Sequence, residues 1–174
     1  MISIFSLDVY AVQAATAKMA PVLARLAYCS EAYWGYDDSY MEKFKAHYNL
    51  TEEFINKNPV FIMEENDRII GFWGLHQADA GWELEYFYIA AEHIGRGFGG
   101  QLWHSLIDKC KENRIDYFEF VTSPQAVGFY EKMGAVTIGQ VKSLISKERI
   151  IPKLRYTFES SIIPVRDGME ATVK

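Results

Sequence analysis

The sequence predicts one α/β domain of the α+β class, in which helices flank a mixed and mostly antiparallel sheet. The chain has 174 residues, 49% of them hydrophobic, which suits a single domain with a sizeable core. Three consecutive segments with the composition of strands occupy its middle, and a glycine-rich loop then opens an amphipathic helix. We place the domain at residues 2–158 and expect the tail, residues 159–174, to fray.

The N-terminal part of the chain is predicted to hold one strand followed by helices. Ile2–Ser6 has the composition of a short strand. In residues 11–30 the apolar side chains recur near a helical period of about 3.6 residues. Pro21 lies inside that stretch, so we expect either a kink or two successive helices there. Asp37 or Asp38 is placed to cap the next helix.

Beyond residue 59 the pattern changes to short strands separated by turns. Turn-forming residues such as Asn66 and Gly81 separate the first three strands, so an antiparallel arrangement is expected for them. The predicted strands are 60–63, 69–76, 82–90, 117–121, 135–140 and 153–158, and the predicted helices run from the glycine loop to about residue 113 and from 124 to 133.

The net charge excludes some classes of partner. Lys and Arg total 18, and Asp and Glu total 23, which gives a formal net charge of −5. A negative chain repels phosphate backbones and anionic lipid surfaces, so neither nucleic acid nor a membrane is an expected partner. A cationic substrate is favoured instead.

Cysteine and histidine usage indicates a reducing compartment and no metal site. Cys29 and Cys110 are too few for a disulfide framework and lack the spacing of a zinc site. The histidines likewise stand at no mutual ligand spacing. The N-terminal residues are not expected to be a cleavable leader, and no apolar run approaches the roughly 18 residues that span a bilayer. We therefore expect a cytoplasmic protein.

The most informative segment joins a strand, a glycine-rich loop and a helix. The strand covers residues 83–89, and the loop that follows is Ile94-Gly95-Arg96-Gly97-Phe98-Gly99-Gly100. A helix that starts with glycines aims backbone N–H groups and the positive end of its dipole at one point, which suits a phosphate. The chain has no carboxylate from His93 to Ile107, in agreement with an anionic ligand. The alternative is a helix that merely begins with glycines.

The same glycines match the fingerprint of dinucleotide-binding enzymes. Gly95-x-Gly97-x-x-Gly100 has that spacing, and Glu119 lies roughly 20 residues on, where such sites hold an acid for the ribose. The context fits poorly, because the preceding strand carries Glu83 and Glu85 and follows an antiparallel hairpin. A nicotinamide-dependent oxidoreductase is therefore the less favoured enzyme.

Two motifs make the chain resemble the GNAT superfamily of acyl-CoA-dependent N-acetyltransferases. That family's acetyl-CoA motif, Gln/Arg-x-x-Gly-x-Gly/Ala after its fourth strand, falls on residues 94–99, with Ile94 where Gln or Arg is usual. A family helix pattern, Ala-x-x-Phe-Tyr-Glu-Lys-x-Gly, falls on residues 126–134. The resemblance implies the family's mixed sheet. It also implies direct transfer of an acetyl group from acetyl-CoA to a primary amine of a small molecule or peptide.

The resemblance further implies where acetyl-CoA binds. Its pyrophosphate is expected on the backbone amides of residues 94–99, because glycines let the backbone approach phosphate. Its pantetheine arm is expected to run along the fourth strand. The implied cofactor-binding residues are Phe87, Tyr88, Ile89, Ile94, Gly95, Arg96, Gly97, Phe98, Gly99, Gly100, Ala126 and Phe129.

Three residues are candidates for acid–base chemistry. Tyr130, on the family helix, is the candidate acid for the departing thiolate. Glu83 and Glu85 share parity on one strand, so both can face the same side unless a bulge intervenes. Either could be the base, directly or through water. The alternatives without a catalytic role are that Tyr130 is a half-buried aromatic side chain and that the two glutamates are solvated carboxylates.

The acceptor site is expected in the aromatic and acidic loop near residue 35. Trp34, Tyr36 and Asp37 combine rings and negative charge, which suit an ammonium group. Such a cluster also occurs as surface packing.

The sequence leaves an alternative function and the oligomeric state open. A non-catalytic acyl-CoA-binding sensor or interaction domain would keep the same cleft, because a fold does not settle activity. Trp73 and Trp82 could serve a homodimer interface as well as a core.

Overall fold

A computed structural model describes residues 10–159 of the chain. The strand predicted at Ile2–Ser6 and nearly all of the predicted tail lie outside the described residues. The described strands are β1 (Tyr10–Ala14), β2 (Val60–Glu65), β3 (Arg68–Ala78), β4 (Gly81–Ile89), β5 (Tyr117–Val121), β6 (Val136–Lys142) and β7 (Ile150–Thr157). The described helices are α1 (Ala20–Ala32), α2 (Asp38–His47), α3 (Glu52–Lys57), α4 (Phe98–Glu112) and α5 (Val127–Lys132).

The strands form one sheet in the order β1-β2-β3-β4-β5-β7-β6. β4 and β5 are parallel, and every other neighbouring pair of described strands is antiparallel. The predicted mixed, mostly antiparallel sheet is therefore confirmed. The parallel pairing joins only Trp82 to Phe118 and Glu83 to Glu119. Beyond these pairs the two strands diverge and leave a gap in the middle of the sheet.

Helices cover both faces of the sheet, because neighbouring residues of a strand point to opposite sides. Phe72 of β3 packs with residues of α1 and α3, whereas Trp73 packs with residues of α4 and α5. Trp73 is fully buried, so it belongs to the core and not to an exposed interface.

No helix within residues 10–159 combines the length and apolar character needed to cross a membrane. The buried residues of α4 are Phe98, Leu102, Trp103, Leu106, Ile107 and Cys110.

The first helix begins later than the sequence predicts. Residues 11–14, expected to open a helix, belong to β1, which pairs antiparallel with β2. Sheet pairing overrides the helical periodicity of this segment. A 3-10 turn at Ala17–Met19 precedes α1, so the stretch holds two successive helical pieces. Pro21 lies in the first turn of α1, where its missing N–H breaks no helical hydrogen bond.

Candidate active site

A cleft opens where β4 and β5 diverge. Beyond the Glu83–Glu119 pair the two strands are no longer paired, so backbone groups of β4 that face β5 have no strand partner. The cavity between them has a volume of about 450 Å³. Its walls come from β4 and β5, the end of α1, α2, α4, α5 and the loop between β6 and β7. An extended ligand could hydrogen-bond here in the manner of an added strand.

The glycine-rich loop before α4 forms one region of the cleft. Gly95 and Gly97 have φ angles of +78° and +88°, in the left-handed region that favours glycine. Gly97 caps α4 without a side-chain hydrogen bond, and the first amides of a helix have no carbonyl partner within it. A Cβ built on Gly95, Gly97 or Gly100 would meet nothing within 4 Å. Free backbone donors and open space at a helix N-terminus fit a pyrophosphate group.

Most residues implied for the cofactor line this cleft. The side chains of Arg96 and Phe98 do not, because Phe98 is buried in the core and the Arg96 guanidinium lies over its ring, 5.6 Å from the ring centre. Only their backbone groups can contribute. His93, which the sequence does not mark as a cofactor contact, also lines the cleft, and its Nδ1 has no hydrogen-bond partner in residues 10–159. The implied residues that line the cleft are Phe87, Tyr88, Ile89, Ile94, Gly95, Gly97, Gly99, Gly100, Ala126 and Phe129.

Tyr130 extends from α5 between the cleft and the core. It is 8% exposed, and its ring centre lies 4.7 Å from that of Phe120 and 5.9 Å from that of Phe87. Burial raises the pKa of Tyr130, and a hydrogen bond with Thr122 acts in the opposite direction. The phenol is therefore protonated at neutral pH and can donate a proton or a hydrogen bond into the cleft.

Glu83 and Glu85 both approach His76 on the neighbouring strand. Their Oε2 atoms lie 3.4 and 3.5 Å from Nε2 of His76. A β-bulge leaves Glu85 without a partner in β3, because its two neighbours in β4 pair with consecutive residues of β3. Glu85 lines the large cleft, whereas Glu83 lines only a smaller depression beside it.

The surroundings of Glu85 favour proton acceptance. Burial raises the pKa of Glu85, while the charge of His76 acts downward and that of Glu83 upward. A carboxylate with a raised pKa is a stronger base than a solvated one. Ligand atoms of His76, Glu83 and Glu85 lie within 4.8 Å of one another, so these side chains could also hold a cation. The spacing of the histidines in the sequence does not indicate that cluster.

The predicted acceptor residues occupy three different settings. Trp34 lines the cleft. Tyr36 lies behind the lining, where its hydroxyl donates to Oγ of Ser123 at 3.2 Å and accepts from Nε2 of Gln125 at 2.6 Å. Asp37 does not line the cleft and caps α2, as predicted, by accepting a 2.8 Å hydrogen bond from the Tyr40 amide.

Two charged residues of the cleft carry no local signal in the sequence. Glu31, at the end of α1, accepts a 2.8 Å hydrogen bond from the Tyr40 hydroxyl, and burial raises its pKa. Arg149, in the loop between β6 and β7, donates from Nη2 to the Tyr36 hydroxyl at 2.9 Å. Both residues line the cleft, so it contains a carboxylate and a guanidinium.

The sheet does not support the dinucleotide-binding alternative. That site needs a parallel sheet built from successive βαβ units. Among the described strands only β4 and β5 pair in parallel. Glu119, the acid that such a site would need, is bound by Lys153 and Arg155 of β7.

Comparisons with known proteins agree with this geometry. The model of the Acetyltransferase (GNAT) family matches residues 25–135. No curated protein sequence matches the chain.

Three solved structures share the fold at low sequence identity. The PaiA N-acetyltransferase of Thermoplasma acidophilum, solved with coenzyme A, is 16% identical with a TM-score of 0.70, over 86% of this chain and 99% of that chain. The ribosomal-protein-alanine N-acetyltransferase of Brucella melitensis is 15% identical with a TM-score of 0.61, over 85% and 99%. A candidate streptothricin acetyltransferase of Bacillus anthracis, solved with acetyl coenzyme A, is 22% identical with a TM-score of 0.54, over 62% and 68%.

The family match covers more than half of the 174 residues and includes both motifs that point to the cleft. The sheet order and the gap between its parallel strands agree with it. The chain therefore belongs to the GNAT family of acetyltransferases.

Proposed function

We propose that the protein is an acetyl-CoA-dependent N-acetyltransferase that moves an acetyl group directly to a primary amine in a ternary complex. One observation carries the proposal: a single cleft combines a loop that fits phosphate, unpaired strand backbone, a protonated phenol and a basic carboxylate. Residues 94–99 bind the pyrophosphate of acetyl-CoA. Its pantetheine arm lies along β4.

The proposed reaction needs a proton acceptor for the amine and a proton donor for sulfur. Acetyl-CoA supplies a thioester, whose C–S bond breaks as the acceptor nitrogen bonds to the acetyl carbon. Glu85 takes the first proton from the acceptor ammonium, directly or through water. Tyr130 gives its proton to the departing sulfur, and the second proton of the nitrogen restores the phenol. Overall the nitrogen loses two protons, one of which ends on the thiol while the other is released to solvent.

Glu83 is the weaker candidate for the base, because it lines only the neighbouring depression. It acts on Glu85 through its charge. Trp34 lines the cleft, and an aromatic ring there suits a cationic acceptor. The acceptor class is a small-molecule or peptide amine.

A non-catalytic acyl-CoA sensor would use the same loop and the same cleft. It would have no need of a buried phenol and a carboxylate of raised pKa facing one cavity. That arrangement favours turnover. A cytoplasmic location, which the free thiols of Cys29 and Cys110 support, and a homodimer both stay predictions.

The cofactor assignment is tested by thermal unfolding with acetyl-CoA, CoA, NAD and NADP at matched concentrations. A ligand at about 100 times its Kd stabilises the native state by about 2.7 kcal/mol. We expect both CoA ligands to raise Tm and neither dinucleotide to do so. A panel of amines, followed by release of the CoA thiol, then tests turnover. The absence of a Tm shift with CoA would contradict the proposal. Binding of CoA without acetylation of any amine would instead identify the protein as a non-catalytic acyl-CoA sensor.

A further inference from the structure

Arg149 is a cation of the cleft that aromatic side chains hold in place. Its guanidinium carbon lies 5.0 Å from the ring centre of Tyr36 and 5.4 Å from that of Tyr40. Its Nη2 donates to the Tyr36 hydroxyl, which also accepts from Gln125. Ring faces and a neutral oxygen fix the position of the guanidinium without neutralising its charge.

Arg149 forms no direct ion pair in the part of the chain that the structure describes. Within residues 10–159 no carboxylate oxygen lies within 4.0 Å of its guanidinium nitrogens. Arg155, by contrast, is paired with Glu119 on the neighbouring strand. Partial burial removes part of the hydration of a charge, and a bound anion would compensate for that loss. The guanidinium of Arg149 is therefore available in the cleft to an anion that a ligand would supply.

Tyr40 holds two opposite charges beside each other. Its hydroxyl donates a 2.8 Å hydrogen bond to Glu31, and the guanidinium of Arg149 lies over its ring. Because both groups contact the same tyrosine, they lie close without forming an ion pair. The charge of Arg149 accordingly lowers the pKa of Glu31 against the larger, upward effect of burial. One ligand in this part of the cleft meets both a carboxylate and a guanidinium.

We propose that the acceptor amine also carries an anionic group, a carboxylate or a phosphate, which Arg149 binds while Glu31 and Glu85 attract its ammonium. This inference rests on the proposed function, because it names the acceptor class of the same cleft. A guanidinium is always charged, and its planar fork matches the oxygens of carboxylate and phosphate. Amino acids and aminoalkyl phosphates have this chemistry, whereas polyamines and simple alkylamines do not.

Matched pairs of acceptors test the proposal. One pair is a set of amino acids against their amides, and the other is O-phosphoethanolamine against ethanolamine. The amine of an amino-acid amide is the weaker base, so more of it is unprotonated at neutral pH and intrinsic reactivity favours the amide. We expect kcat/KM to be higher by about tenfold or more for the anionic member of one pair, as one charge-assisted hydrogen bond would give. The pair that shows the preference identifies carboxylate or phosphate.

Variants assign the preference to one residue. Arg149→Gln is expected to raise KM about tenfold or more for the anionic acceptor and by much less for the neutral one, which has no anion for the guanidinium to bind. Arg149→Lys keeps the charge without the fork, so it should recover part of the preference. Arg25→Gln, at an exposed position of α1, removes the same charge outside the cleft and serves as the control. The thermal shift with CoA should be the same in all three variants.

Two results would overturn the inference and leave the transferase assignment intact. One is equal kcat/KM for both members of each pair, and the other is an equal fall for both members in Arg149→Gln. If no amine is acetylated, calorimetric titration of the same pairs into the protein–CoA complex decides. Binding of an anionic member that Arg149→Gln abolishes supports the subsite although the transferase assignment fails, and the absence of such binding rejects it.

Discussion

The hydroxyl of Tyr40 donates a 2.8 Å hydrogen bond to Oε1 of Glu31. This bond keeps a carboxylate inside the cleft although burial opposes its charge and raises its pKa above the ordinary value of 4.5. The folded protein therefore holds the Glu31 proton more tightly than the unfolded chain does. Ionisation of Glu31 lowers the free energy of unfolding progressively as the pH rises from the pKa of Glu31 in the unfolded chain to its higher pKa in the folded protein.

Glu31→Gln is expected to raise Tm at pH 7 and to have little effect on it at pH 4. At pH 4 the carboxyl group is largely protonated in both the folded and the unfolded state, so its removal changes little. The Gln amide oxygen can still accept from Tyr40. Thermal unfolding at the two pH values measures the difference. A Tm that falls at pH 7 would contradict this account of Glu31.

Gly100 and Gly128 form a matched pair of helical glycines. A Cβ on either would meet nothing within 4 Å, but only Gly100 lines the cleft. Both Gly→Ala variants should raise Tm by about 1–4 °C, because alanine loses less conformational freedom in a helix. Only Gly100→Ala should weaken CoA binding, by about tenfold, since its methyl group occupies cleft space. Equal CoA affinities in a titration of the two variants would remove Gly100 from the binding site.

Tyr130→Phe should lower kcat by about 100-fold or more, within the range typical of general acid catalysis. The substitution removes the donor to sulfur and the hydrogen bond with Thr122 but keeps the buried ring, so Tm should fall by only a few degrees and CoA affinity should change little. Tyr10→Phe, at an exposed position on the edge strand β1, is the control for loss of a hydroxyl. Steady-state kinetics at saturating amine gives the result. An unchanged kcat would exclude Tyr130 as the acid.

Glu85→Gln should lower kcat/KM by about 100-fold and abolish its rise with pH on the acid side. The ionised carboxylate is the active form, so the rate rises as the pH passes the raised pKa of Glu85. Glu83→Gln should keep most of the activity and shift that rise to lower pH, because the charge of Glu83 contributes to raising the pKa. A larger loss in Glu83→Gln than in Glu85→Gln would reverse the two roles.

The strands from β2 to β5 and helix α4 could be predicted from the sequence because local residues determine them. β5 forms at the predicted residues 117–121. The turn between β2 and β3 places Asn66 and Asp67 at φ angles of +50° and +60°, which asparagine and aspartate tolerate better than most residues. The glycine-rich loop could be predicted because glycine alone adopts its φ angles without strain and admits a phosphate.

Other features depend on contacts between distant parts of the chain. Residues 11–14 have a helical pattern, and only pairing with β2 makes them a strand. The bulge that separates the settings of Glu83 and Glu85 arises from the register of β3 and β4. Glu31 and Arg149 belong to opposite halves of the chain, so no spacing could indicate that Tyr40 lies between them.

Only two residue pairs join β4 to β5 in the described sheet, so the sheet consists of two parts that are connected by a short stretch of pairing. Strands β1–β4 form one part and strands β5–β7 form the other. An extended ligand bound between the two parts would restrict their relative motion, because its own amide groups would form hydrogen bonds with the backbone of β4 and β5 where these strands are not paired. Hydrogen exchange of the amides of β4 and β5 should then slow together when CoA binds. The ligand would therefore stabilise the sheet between β4 and β5, the two neighbouring strands that share the fewest residue pairs in the described sheet.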